Sequence, residues 1–211
     1  MEKVTLDGVT LHLSHPEELP LNWVGQQELM DQMMAAWMVL DEKDLPLNPR
    51  LIGKPGVGKT TLAYAAGKCL GREVYLFQAT MDTRPEDLLV TPVISDQGRI
   101  QYMASPLVTA MIRGGVLVLD EGNRMSEKSW ASLAPVLDNR RYAESLAAGV
   151  KIKAHPDFRL VATMNDDAST FELPEYIHSR LQPQILIDFP EPEEERLILQ
   201  QNLPFADEQL I

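Results

Sequence analysis

Gly53-Lys54-Pro55-Gly56-Val57-Gly58-Lys59-Thr60 is the stretch whose reading decides the fold. It fits the pattern G-x-x-x-x-G-K-[ST] at every position. It stands between a strand-like run, Arg50-Leu51-Ile52, and a helix-forming run from Thr60 to Leu70. Strand, glycine turn and helix in that order aim successive backbone N–H groups at phosphate oxygens. Lys59 adds a point charge near the β- and γ-phosphates, and the Thr60 hydroxyl is a ligand for Mg2+. The helix that follows turns its positive end toward the same anion.

Outward from this loop, strand-like and helix-like runs alternate. Glu73 to Phe77, Gly115 to Leu119, Phe158 to Thr163 and Gln184 to Ile187 read as strands. Ser105 to Arg113, Ser126 to Leu137 and Pro174 to Leu181 read as helices. That alternation predicts an α/β fold, a mostly parallel sheet covered on both faces. Two stretches break the rhythm and are expected to be β-hairpin insertions. One is Leu89 to Met103, around Asp96-Gln97-Gly98; the other is Arg141 to Lys153, with Gly149 near its turn. At the N-terminus, two β-branched runs flank Asp7-Gly8, the signal for a hairpin with a type I′ turn. Gln26 to Leu40 carries Leu29, Met33, Met34, Trp37 and Leu40 at helical spacing, a packing face on one helix.

The second chemical signal is Val116-Leu117-Val118-Leu119-Asp120-Glu121. A buried strand that ends in two acids delivers them to the crevice where ligands bind in open α/β sheets. Asp120 is expected to hold Mg2+ through water. Glu121 is expected to be the general base for an attacking water. A nucleotide kinase has no need of that second acid, because its nucleophile is a bound substrate. Leu160 to Asn165 is a strand ending in an amide, and Asn165 is read as fixing the lytic water. Arg180, read alone, is equally a helix-end charge or an arginine finger that neutralises the transferring phosphoryl.

Composition bounds the answer. The 211 residues carry 19 basic and 31 acidic side chains, a net charge of −12, which argues against a protein whose main work is gripping nucleic acid. Half of that charge lies in residues 188–211, with seven acids and one base, so the argument weakens for the core. At 45% hydrophobic residues the chain buries a real core. One cysteine, Cys69, allows no intrachain disulfide and fits a cytoplasmic setting; it is expected to be a small buried hydrophobe. No run approaches the roughly 18 apolar residues of a membrane span. Met1-Glu2-Lys3-Val4 lacks the layout of a signal peptide. His12 and His15 have no partners in metal-ligand spacing. Trp130, Leu133, Ala134 and Leu137 form a helical stripe that reads as core.

The ordered set of motifs resembles the AAA+ ATPases of the MoxR and dynein-related branch. It comprises Val24-Gly25-Gln26-Gln27, Gly53 to Thr60, Asp82-Thr83 with Glu86-Asp87-Leu88-Leu89, Leu119-Asp120-Glu121-Gly122-Asn123-Arg124, Ala162-Thr163-Met164-Asn165 and His178-Ser179-Arg180. The resemblance covers about residues 20 to 200. It implies a P-loop NTPase fold with a five-stranded parallel sheet, ATP and Mg2+ as ligands, and a ring, usually a hexamer, with ATP at subunit boundaries. The implied nucleotide-binding set is Val24, Gly25, Pro55, Gly56, Val57, Gly58, Lys59, Thr60, Thr61 and Asp120, with Thr60 and Asp120 at the metal. Asn165 becomes the first sensor, and Arg180 acts on the neighbouring subunit's nucleotide. The two hairpins correspond to inserts that face the ring's pore or its substrate, and Gln78 or Thr80 is placed to hold Glu121 inactive.

By the same resemblance, residues 1–20 form an N-terminal hairpin and linker, 21–190 the ATPase core, and 191–211 the start of a helical lid cut short at Ile211. No residue matches the second sensor arginine of that lid, and Leu181 stands where the family usually has Phe. The implied function is Mg-ATP hydrolysis that remodels or activates a protein client, with a von Willebrand A-domain protein as a partner class. Two rivals stay open: a nucleotide-driven subunit of a nucleic-acid-processing, restriction-like complex that prefers GTP, and a non-hydrolysing ring component.

Overall fold

The computed structural model describes residues 2–20, 22–41, 43–167 and 172–203. Its centre is a five-stranded, all-parallel sheet in the order β11-β3-β10-β7-β4. The strands are β3 (Arg50–Gly53), β4 (Val74–Gln78), β7 (Val116–Asp120), β10 (Arg159–Asn165) and β11 (Gln184–Leu186). β10, in the middle, is buried at every residue, as a strand covered on both faces must be. The expected α/β architecture, with five parallel strands and two hairpin insertions, is the observed one.

Two apolar cores flank the sheet. On one face, α1 (Gln27–Ala36) and α2 (Lys59–Cys69) pack through Met33, Trp37, Leu62 and Ala66 against Leu51, Val118 and Val161. On the other face, α3 (Pro106–Arg113) and α4 (Glu127–Leu137) bring Leu107, Met111, Trp130 and Leu133 against Leu117 and Leu160. Both of these helices start where the sequence provides a cap. The Ser105 hydroxyl accepts from Val108 N and the Ser126 hydroxyl from Ser129 N. The Trp130 stripe is core, as its spacing indicates: Trp130 and Leu133 are buried and Ala134 is partly so.

The hairpins take the expected places, with one addition. β1 (Lys3–Leu6) and β2 (Val9–His12) pair antiparallel around Asp7 and Gly8, both at positive φ, as a type I′ turn requires. β5 (Val90–Ile94) and β6 (Ile100–Ala104) form the first insertion, β8 (Tyr142–Ser145) and β9 (Val150–Lys153) the second. β2 also pairs parallel with β6, so the N-terminal hairpin and the first insertion share one four-stranded sheet. No local pattern announces a pairing between segments so far apart along the chain.

Two expectations need correction. The helix over Gln26–Leu40 ends at Ala36, and Leu40 is 84% exposed. The Ala36 carbonyl, which Leu40 N–H would take in a continuing helix, accepts instead from Leu47 N at 2.9 Å as the chain returns. Cys69 is exposed at the last turn of α2, so it is no part of the core. The remaining helices are short α5 (Glu175–His178) and α6 (Pro192–Asn202). Among the described residues, no helix is long and apolar enough to cross a membrane.

Candidate nucleotide site

Parallel strands emit their carboxyl ends on one side, and the sequence-predicted residues of the loop and both acids meet there. At the end of β3, a side chain on Gly53 would begin 2.2 Å from the Ile187 carbonyl oxygen, so only glycine fits. Gly56 and Gly58 take φ of 87° and 91°, which turn the backbone back over the start of α2. Nothing lies within 4 Å of where a Gly56 side chain would begin, so the loop's outer surface is open to a ligand. Lys59 is 7% exposed and donates from Nζ to the Gly53 and Lys54 carbonyls at 2.9 and 2.7 Å. Burial pushes its pKa down, and the charges of Asp120, Glu121 and Asp167 oppose that shift. The ammonium therefore bridges the two ends of the loop, with the negative charge of the acids close enough to offset its burial.

Two strands along, Asp120 Oδ1 accepts from Thr60 Oγ1 at 2.8 Å and from the Thr163 hydroxyl. Thr163 also accepts from Glu121 N at 3.0 Å. This fully buried threonine welds the end of β7 to β10, a role the sequence reading missed because a lone Thr in an apolar strand looks like any β-branched residue. Glu121 follows in the left-handed region, φ 53° and ψ 38°, which is uncommon for a non-glycine residue and turns its carboxylate into the crevice. Its Oε1 accepts from Asn165 Nδ2 and its Oε2 from Gln78 Nε2, both at 3.0 Å. Of the two polar residues at the end of β4, Gln78 is the one in contact, while Thr80 Oγ1 pairs with Thr83 Oγ1 at 3.2 Å. Asn123 fixes Asn165 in turn, donating to its carbonyl at 2.8 Å.

Beside the loop opens a cavity of about 380 Å3, within the range of small-molecule sites. Trp23 and Val24 form one wall, Gly56, Val57, Gly58 and Thr61 the floor, and Phe189, Ile198 and Leu199 the roof. Gly25, at φ 75°, lies against α6: a side chain there would begin 3.1 Å from Glu194 Oε1, which accepts from Gln26 N at 3.1 Å. Asn202 Oδ1 accepts from Asn22 N at 3.3 Å. The roof helix is thus pinned to the N-terminal wall by two hydrogen bonds, which no local motif foretold. Pro55 is exposed on the loop's rim, outside the cavity lining.

The residues fit Mg-nucleotide. A glycine cradle, a buried lysine and an adjacent apolar cavity suit polyphosphate and base. The hydrogen-bonded Thr60–Asp120 pair supplies two of the few protein oxygens that Mg2+ takes alongside phosphates and waters. Among the described residues no group of three or more His, Cys, Asp or Glu forms a separate metal centre.

Arg180 is not brought into this crevice. It lines a different cleft, of about 550 Å3, with Leu45, Leu47, Asp138 and Arg140, and no residue of the phosphate loop takes part. Its Nε stands 3.7 Å from Asp138 Oδ2, and its guanidinium stacks on the Tyr176 ring at 5.9 Å.

Comparison with known proteins agrees with this geometry. The pattern of the AAA domain (dynein-related subfamily) matches residues 50–181. The uncharacterized protein SAB1265c of Staphylococcus aureus is 32% identical over 127 residues, covering 58% of this chain and 48% of that protein. The uncharacterized protein SERP0979 of Staphylococcus epidermidis is 28% identical over 169 residues, 78% of this chain and 64% of its own. The chain thus spans about half to two thirds of the length of these curated relatives. A crystal structure from Cytophaga hutchinsonii, provisionally assigned as an ATPase, shares the fold with a TM-score of 0.65 at 21% identity, covering 87% of this chain and 53% of that one.

Proposed function

Because the chain belongs to the dynein-related AAA subfamily, we propose that it is a Mg-ATP hydrolase of MoxR type, working in a ring to remodel or activate a protein client. The observation that carries this reading is the placement of Glu121. Its carboxylate is held by Asn165 and Gln78 at the mouth of the crevice, one residue from the Thr60–Asp120 pair. Lys59 and the loop N–H groups bind the phosphates, and the apolar cavity under α6 takes the base. Glu121 accepts the proton of the attacking water, while Asn165 fixes that water's position. Bound Mg2+ would neutralise charge on the β- and γ-oxygens from its seat at Thr60 and Asp120.

The position of Arg180 supports the ring reading. Lying in a cleft apart from its own chain's phosphate loop, it is suited to reach the nucleotide of an adjacent subunit. The client contact is assigned to the insertion tips, where Ile94, Ile100 and Leu146 are 76%, 64% and 91% exposed. A von Willebrand A-domain protein is the proposed partner class. The test is Glu121→Gln: ATP binding persists while turnover falls by about 10²- to 10⁴-fold. Steady hydrolysis by that variant sinks the assignment of the base.

A further inference from the structure

Glu121 has a third neighbour that the reaction scheme leaves unused. Arg124 closes the 3-10 turn Gly122–Arg124, its N–H donates to the Glu121 carbonyl at 2.9 Å, and its Nε stands 2.8 Å from Glu121 Oε2. The same Oε2 already accepts from Gln78, and Oε1 from Asn165. Among the described residues, the side-chain contacts of the carboxylate are with Gln78, Asn165 and the Arg124 guanidinium, and of these three only the last is charged; the Lys59 charge acts on it without such a contact.

The Arg124 contact differs in kind from the other two. Its Nε–H, although buried, makes no aligned hydrogen bond despite the 2.8 Å approach. It is a charge contact, and a poorly directed one can be released without breaking a good hydrogen bond. The Arg124 side chain is 37% exposed, so it has water to turn into. Asn165, by contrast, is locked by Asn123 on a fully buried strand.

We propose that Arg124 is a positioning residue that restrains Glu121, holding the base in a resting pose until it is released. The idea rests on the reading of Glu121 as the base. An attraction stronger in the ground state than in the transition state slows a step. Proton transfer from water to Glu121 removes the negative charge that Arg124 attracts, so this contact weakens as the reaction proceeds. Spacing alone builds the restraint, since a turn from Glu121 to Arg124 brings residues i and i+3 face to face.

The experiment compares Arg124→Gln and Arg124→Lys with the unaltered chain in ATP turnover, nucleotide affinity and thermal stability. The expected result for Arg124→Gln is a rise in kcat of about fivefold, equal to about 1 kcal/mol at tenfold per 1.36 kcal/mol. KM should stay within about twofold, the signature of an effect confined to the chemical step. Arg124→Lys, which keeps the charge, should restore the slow rate. An unchanged or lower kcat in Arg124→Gln overturns the proposal. Full turnover in Glu121→Gln overturns the underlying base assignment instead, so the two failures are distinguishable. Where turnover of the unaltered chain is too slow to measure, the 15N–1H signal of Arg124 Nε decides. Slow solvent exchange that becomes fast in Glu121→Ala supports the restraint, and fast exchange in both overturns it.

Discussion

The crevice at the carboxyl ends of the sheet and the cleft around Arg180 hold the charged groups of one proposed reaction, yet they are built in opposite ways. In the crevice, each group has its partners within the chain: Lys59 on two carbonyls, Asp120 on two hydroxyls, Glu121 on Asn165 and Gln78. At the edge, Arg180 is 30% exposed, donates to the Tyr176 carbonyl, and meets the Asp138 carboxylate only at a long 3.7 Å. Most buried polar groups are satisfied where they stand because water cannot reach them, whereas a partly exposed side chain can exchange its partners. Under the proposed ring, that difference would separate what one chain completes from what a neighbour would supply.

Three substitutions would break or sharpen that contrast. The largest effect is expected at the edge. Arg180→Ala should lower ATP turnover of the assembled protein by roughly 10³- to 10⁵-fold, with unfolding midpoint and nucleotide affinity unchanged. Loss of affinity in that variant would place Arg180 in its own chain's crevice. Next comes the floor of the crevice. Trp130 is 1% exposed, and its ring lies 3.1 Å from where a side chain on Gly122 would begin, directly after Glu121. Trp130→Ala should cost about 3–5 kcal/mol in urea unfolding. A cost below about 1 kcal/mol would show that the turn does not rest on this core.

The smallest effect is expected from Asp138→Asn. Hydrogen bonding from Arg140 holds the Asp138 carboxyl below its ordinary range, with the Arg180 charge a weaker contributor. A carboxylate whose pKa is depressed on folding adds stability above its unfolded pKa and loses it as pH falls through the folded value. Denaturation curves of the unaltered chain and of the Asp138→Asn variant should therefore differ by at most about 1 kcal/mol at neutral pH, with the gap closing in acid. A gap that widens in acid would mean that Asp138 carries no such ion pair.

Much of the crevice was legible in the sequence because its parts are local. Gly53 to Thr60 specifies a turn by glycine geometry, and Val116 to Glu121 specifies a strand with acids at its end. Both signals survive without knowledge of the rest of the chain. The contacts that tune the site were not legible in the same way. Thr163 and Asn123 meet Asp120 and Asn165 only because β7 and β10 are neighbours in register, Leu119 opposite Ala162. Gln78 could be shortlisted with Thr80 but not chosen, since the choice depends on which of them the fold brings to Glu121. The early end of α1 and the exposure of Cys69 were missed for a related reason. Periodicity reports which residues could face a core, while the return of Leu47 to the Ala36 carbonyl decides where the helix stops.

The sequence by itself determined the order of strands and helices, the phosphate loop, the two acids and the subfamily. Each of these rests on spacing along the chain, which backbone geometry converts directly into local shape. Only the tertiary structure decided the rest: the joining of the N-terminal hairpin to the first insertion, the α6 roof over the cavity, and the seating of Arg180 away from its own chain's loop. Those are contacts between residues far apart along the chain. The chain reaches them through collective packing of two cores, a quantity no window of sequence contains.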